Sequence, residues 1–155
     1  MSNARATVDH TAVAEEIRRE LAAVGEPKEA MARTVAILKA RVPAYTWVGI
    51  YQCFGNELVL GPFEGKPSPH THIPVGRGIC GAAAAEKTTI VVDDVNADPR
   101  YLACSLETKS EIVVPIMRDG DVIAEIDIDS DRAAAFGPDD KRMLETVAAL
   151  LAEKI

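Results

Sequence analysis

Three carboxylates alternate with apolar residues in the run Ala124-Glu-Ile-Asp-Ile-Asp-Ser130, at Glu125, Asp127 and Asp129. On a strand, positions two apart share one face, so these acids would crowd together. Crowded carboxylates repel one another, and a cation or shared protons would relieve them. Glu111 opens the apolar run before this one and could join the group across a strand pair. A carboxyl that keeps a proton near neutral pH is a general acid, and one that has lost it suits a small ammonium ligand. The same acids also read as a solvated acidic face.

Metal ligation is the first alternative to consider. Asp127-x-Asp129-x-Asp131 resembles the start of a calcium loop, but Arg132 stands at the sixth position and Pro138 at the twelfth, where that loop needs glycine and glutamate. His70-x-His72 offers two nitrogens with no third ligand at a recognisable spacing. No metal site is therefore expected.

The cysteines are Cys53, Cys80 and Cys104. An odd count argues against a disulfide framework. In a reducing compartment a cysteine is either a small buried hydrophobe or a reactive thiol. Cys80 lies in Gly76-Arg-Gly-Ile-Cys-Gly81 at the start of an alanine-rich helix, where thiol pKa values tend to fall. It also reads as a small residue under a glycine turn. Cys104 sits in a polar, irregular stretch, where core packing explains it less well, whereas Cys53 ends an amphipathic strand and reads as core or edge. Trp47 and Tyr51 flank Gly49 on that strand. An aromatic pair over a glycine can wall a small pocket, and aromatics beside carboxylates suit an ammonium. Simple core packing is the other reading.

The elements that must position these residues follow from periodicity. Apolar spacing predicts helices over residues 8–24 and 28–41, with Pro43 ending the second. Residues 45–53 and 57–63 read as a hairpin about Gly55-Asn56. Residues 64–72 form a proline-containing loop, followed by a short extended stretch, Ile73 to Val75. Residues 79–86 are helical and 89–92 a strand. Residues 93–108 are an irregular loop with one possible helical turn. Strands at 111–117 and 122–128 join through Arg118-Asp-Gly-Asp121, and a last helix starts at Pro138 and runs through Leu151. Hairpins dominate, so the sheet is antiparallel and the fold is α+β. Only one strand and one helix are expected between residues 64 and 108, and loops that long usually build a site.

Composition limits the partners. The 155 residues suit one domain, with 48% hydrophobic residues and a net charge of −7. Between Asp119 and Asp140 there are eight acids and one base, so this segment carries the whole charge excess. No basic stripe exists to track a phosphate backbone, which argues against nucleic acid. No apolar run reaches the roughly 20 residues of a membrane span. The N-terminus lacks the apolar region of a secretory leader, so a cytoplasmic location is expected. Residues 1–7 are read as a disordered N-terminus or tag remnant, and 8–155 as a single domain.

Six segments, in order, resemble the free methionine-(R)-sulfoxide reductases, which are small stand-alone GAF-domain enzymes. They are Val48-Gly-Ile-Tyr51, Leu60-Gly-Pro-Phe-x-Gly-Lys66, Ile73-Pro-Val-Gly-Arg-Gly-Ile-Cys-Gly81, Ala103-Cys104, Ser110-Glu-Ile-Val-Val-Pro115 and Ile126-Asp-Ile-Asp-Ser130. The resemblance spans about residues 30–153. It implies a GAF-like single antiparallel sheet of about six strands with helices on both faces, and commonly a homodimer. Cys104 matches the cysteine taken as the sulfoxide-attacking nucleophile, and Cys80 a second cysteine that can resolve it. Glu111, Asp127 and Asp129 match substrate-binding acids, and Trp47 and Tyr51 the aromatics that wall the pocket. The resemblance implies a cysteine sulfenic acid, then a disulfide. It implies no bound cofactor, with thioredoxin or a similar dithiol as electron donor.

In one place the chain departs from this pattern. Many members carry a third cysteine before the Ile-Pro-Val motif, where this chain has about His70 in a slightly longer loop. The recycling route is therefore open, with Cys80 as its candidate. Cys53 falls outside the family's cysteine positions. The alternative function is a non-catalytic GAF sensor domain that binds a small ligand.

Overall fold

The computed structural model describes residues 7–103 and 105–155. But for Thr7, the expectation for the N-terminal residues falls outside them, as does Cys104.

Helix α1 (His10–Ala22) is capped by Asp9, whose carboxylate accepts the Ala12 N–H at 3.0 Å. Helix α2 (Pro27–Arg41) starts on Pro27, whose fixed φ suits a first helical turn. Strands β1 (Trp47–Phe54) and β2 (Glu57–Glu64) form the expected hairpin. Short β3 (His72–Pro74) leads into helix α3 (Gly78–Glu86). Strand β4 (Ile90–Val92) and a single 3-10 turn (Val95–Ala97) precede the long hairpin of β5 (Ser110–Arg118) and β6 (Asp121–Ser130). Its turn places Asp119 and Gly120 at φ of 53° and 82°, as a two-residue hairpin turn requires. Helix α4 (Pro138–Ala152) closes the domain. Asp140 fixes its start, accepting the Gly137 N–H at 2.9 Å and the Tyr45 hydroxyl at 2.6 Å.

All six strands pair antiparallel in the order β3-β2-β1-β6-β5-β4. Residue parity decides what each face carries. The even positions Val48, Ile50, Ile112, Val114, Ile126 and Ile128 join the core under α1, α2 and α4. The odd positions face the other way, where Tyr51 and Val113 pack with Ile79, Cys80, Ala83 and Ala84 of α3. The fold is the expected GAF-like α+β sheet with helices on both faces.

Gly81 explains why α3 lies so close to the sheet edge. A Cβ there would come within 2.7 Å of the Pro74 carbonyl oxygen and 2.9 Å of the Gly76 nitrogen. Only glycine lets the 76–81 turn close on its own helix, where the Gly76 N–H reaches the Gly81 carbonyl at 2.8 Å.

Candidate active site

The odd face of the central strands carries an ordered set of acids and aromatics. Strand β6 stands between β1 and β5. Opposite Asp129 lie Trp47 on one side and Glu111 on the other; opposite Asp127 lie Gly49 and Val113; opposite Glu125 lie Tyr51 and Pro115. The alternation of acids and isoleucines along β6 therefore becomes a column of carboxyls, with Glu111 beside it.

All four acids are buried: Glu111 is 6% exposed, Glu125 0%, Asp127 4% and Asp129 4%. A solvated acidic face is thus excluded for them. Burial pushes Asp127 and Asp129 above the usual carboxylate range, and the Asp127 charge raises Asp129 further. The neighbouring Glu111 side chain opposes part of the rise in both. Carboxyl groups this close are relieved by a proton on one of them. Glu125 is pushed up to about 9, by burial first and then by Asp127. Both of its oxygens, with one each of Asp127 and Asp129, are buried with no hydrogen-bond partner among the described residues.

Cys80 joins the acids from α3. Its sulfur and carboxylate oxygens of Glu111 and Asp127 all lie within 4.8 Å of one another. Those three groups have the chemistry to hold a divalent ion. The helix start was expected to lower the Cys80 pKa. The structure corrects this: burial, then the charges of Asp127, Glu111 and Glu125, push it well above the usual thiol range. A partial dipole charge at the end of a short helix does not outweigh burial against three acids.

The aromatics take different places. The Trp47 ring lies over Gly49 and Gly65, its Nε1–H donates to the Lys66 carbonyl at 2.9 Å, and it stacks on Phe63 with centroids 5.8 Å apart. Tyr51 lies beneath the 64–72 loop and donates its hydroxyl to the His70 carbonyl at 2.7 Å. Two cavities adjoin these groups. One, of about 20 Å³, is lined by Tyr51, His70, Cys80, Glu111 and Asp127 among others. The second, of about 150 Å³, is lined by Trp47, Lys66, Glu107 and Asp129 among others. Both fall well short of the roughly 300–1,000 Å³ that drug-sized ligands occupy, so the site suits a small molecule.

The fold thus brings together Glu111, Asp127, Asp129, Cys80, Trp47 and Tyr51, all named from the sequence, while Cys104 lies outside the described residues. Cys53 lies near the end of β1, where burial and then the Glu125 charge raise its pKa, and its thiol donates to the Gly55 carbonyl at 3.5 Å. His72 stays exposed, near the Thr71 hydroxyl. His70 does reach the site, which no spacing rule signalled.

A GAF-domain family model matches residues 26–155. The free methionine-R-sulfoxide reductase of Escherichia coli is 38% identical over 125 residues, covering 81% of this chain and 74% of that protein. The chain belongs to the free methionine-(R)-sulfoxide reductase family. The member from Saccharomyces cerevisiae is 46% identical over 109 residues, 68% of this chain and 60% of that protein. The free methionine-R-sulfoxide reductase of Neisseria meningitidis, solved in complex with its substrate, superposes with a TM-score of 0.90 at 39% identity, covering 94% of this chain and 87% of that one.

Proposed function

We propose that this protein reduces free L-methionine-(R)-sulfoxide to methionine. The observation that carries the reading is the buried set of Glu111, Asp127 and Asp129 beside Cys80. It supplies both things the reaction needs. One is a proton for the departing oxygen, which burial favours by raising both aspartates. The other is residual negative charge for the substrate ammonium. A peptide-bound methionine sulfoxide has no such ammonium, so the acids favour the free amino acid.

The Cys104 thiolate attacks the sulfoxide sulfur while a carboxyl proton passes to the oxygen. The S–S bond so formed then breaks as the hydroxyl moves from the methionine sulfur to Cys104, so methionine leaves reduced by two electrons and Cys104 is oxidised to the sulfenic acid. The Cys80 thiol then attacks that sulfenic sulfur, its proton passing through Asp127 to the departing hydroxyl, which leaves as water. The product is a Cys80–Cys104 disulfide. A thioredoxin-type dithiol reduces it by thiol–disulfide exchange and is itself oxidised. The raised pKa of Cys80 supports this division of labour: a thiol is a poor first nucleophile, but it can attack an electrophilic sulfur with a carboxylate base beside it.

The reading needs no bound cofactor. It places the protein in a reducing compartment, the cytoplasm, as a homodimer. No helix among the described residues is long and apolar enough to cross a membrane. The decisive experiment is turnover of free L-methionine-(R)-sulfoxide with dithiothreitol by wild type and Cys104→Ser. Turnover in the wild type that disappears in the variant is expected. Absence of turnover in the wild type would leave a ligand-binding GAF module.

A further inference from the structure

His70 has no part in the chemistry above, yet it is fixed at three points. The Ser68 hydroxyl accepts its main-chain N–H at 3.1 Å, and the Tyr51 hydroxyl donates to its carbonyl at 2.7 Å. Its ring Nε2 lies 3.1 Å from the Ala103 carbonyl oxygen. A carbonyl oxygen only accepts, so Nε2 carries the hydrogen.

Its location gives the contact meaning. His70 is half-buried and lines the same cavity as Cys80, Glu111 and Asp127. Ala103 directly precedes Cys104 in the chain. The stretch around it lacks regular structure from residue 98 to 103. Local turns shape it, including Tyr101 N–H to the Asp98 carbonyl at 3.2 Å and Thr108 N–H to the Ser105 carbonyl at 3.4 Å. The exposed Lys66–Glu107 ion pair, at 2.8 Å, ties it to the 64–72 loop. An exposed pair of long side chains contributes little stability. The His70–Ala103 bond is made at the cavity wall, by a ring whose own backbone is pinned to β1 through Tyr51.

We propose that His70 is a positioning residue for sulfoxide reduction: its Nε2–H holds the Ala103 carbonyl, and so sets how the next residue, Cys104, approaches the substrate sulfur. The inference rests on the reading of Cys104 as nucleophile. Its physical basis is that attack rates depend steeply on geometry, with a misplacement of about 1 Å costing on the order of a hundredfold.

Two variants separate positioning from bulk packing. His70→Ala removes the donor. His70→Gln keeps one, since the glutamine amide nitrogen is as many bonds from Cα as Nε2. Kinetics with dithiothreitol are measured together with hydrogen exchange of peptides covering residues 99–107. His70→Ala is expected to lower kcat by roughly ten- to a hundredfold with KM within about threefold, and to speed exchange in that segment. His70→Gln is expected to restore both. Wild-type kcat in His70→Ala, a loss confined to KM, or His70→Gln as slow as His70→Ala would each overturn the proposal while leaving the reductase reading intact. A wild type that does not turn over would overturn the reductase reading, and the positioning role with it.

Discussion

The Trp47 ring lies so close over Gly49 that a Cβ on that glycine would sit 2.3 Å from a ring carbon. Gly49 in turn stands directly opposite Asp127. The glycine therefore does more than relax the strand. It lets an indole fold flat across the sheet beside the acids and reach the Lys66 carbonyl. Gly49→Ala is expected to displace the ring, costing about 1–3 kcal/mol of stability as overpacking does and lowering kcat/KM. Thermal unfolding and steady-state kinetics check it, and an alanine variant with unchanged kcat/KM would count against a role for the ring's placement.

A carboxylate oxygen of Asp127 lies within 4.8 Å of a Glu111 carboxylate oxygen and of the Cys80 sulfur. Asp127→Asn keeps its shape and removes its charge and its capacity as a base. Hydrogen bonds to charged groups are worth about 1.5–3 kcal/mol, and each 1.4 kcal/mol is tenfold in affinity. KM for the free amino acid should therefore rise roughly tenfold or more. Unchanged KM and kcat in Asp127→Asn would remove it from the substrate site.

Glu125 makes a pH prediction of definite sign. Its folded pKa of about 9 lies above the ordinary 4.5. Between those values the folded protein holds a proton that the unfolded chain has released. Stability is therefore lost as pH rises, by about 1.4 kcal/mol per pH unit from this group, or about 3 kcal/mol by pH 7. Glu125→Gln cannot ionise. It should be the more stable protein at pH 8, with the advantage shrinking toward pH 5. Denaturant midpoints across that range test this, and parallel pH profiles for the two proteins would sink it.

Cys80→Ser separates chemistry from recycling. Dithiothreitol reduces a sulfenic acid directly, so turnover with it should persist within a few-fold. Thioredoxin-driven turnover should fall away, and Cys104 should accumulate as the sulfenic acid, readable by mass spectrometry after trapping with dimedone. Full thioredoxin-driven activity in Cys80→Ser would assign resolution to another thiol.

Much of this site was legible because strand periodicity carries it. Glu125, Asp127 and Asp129 alternate with isoleucines, which places them on one face, and their burial follows from a helix covering that face. Glu111 was reachable because a two-residue turn joins its strand to theirs. The Cys80 pKa was not legible. A helix start speaks for a lowered value, and the opposing acids lie more than 30 residues away in sequence. The His70–Ala103 contact joins two irregular segments, and no periodicity reports on that pairing. Glu125 was visible as one of three alternating acids, but nothing along the chain showed that both its oxygens would lie buried without partners.

The β5–β6 hairpin also dictates where this protein can tolerate changes in length. Side chains alternate faces, so a one-residue insertion between Glu111 and Asp129 that shifted the pairing would turn the carboxyls into the aliphatic core and the isoleucines toward the substrate. The 64–72 loop meets no such parity constraint. Insertions should therefore be purged from the hairpin, whereas in the loop they are limited by the Lys66 and His70 contacts rather than by parity.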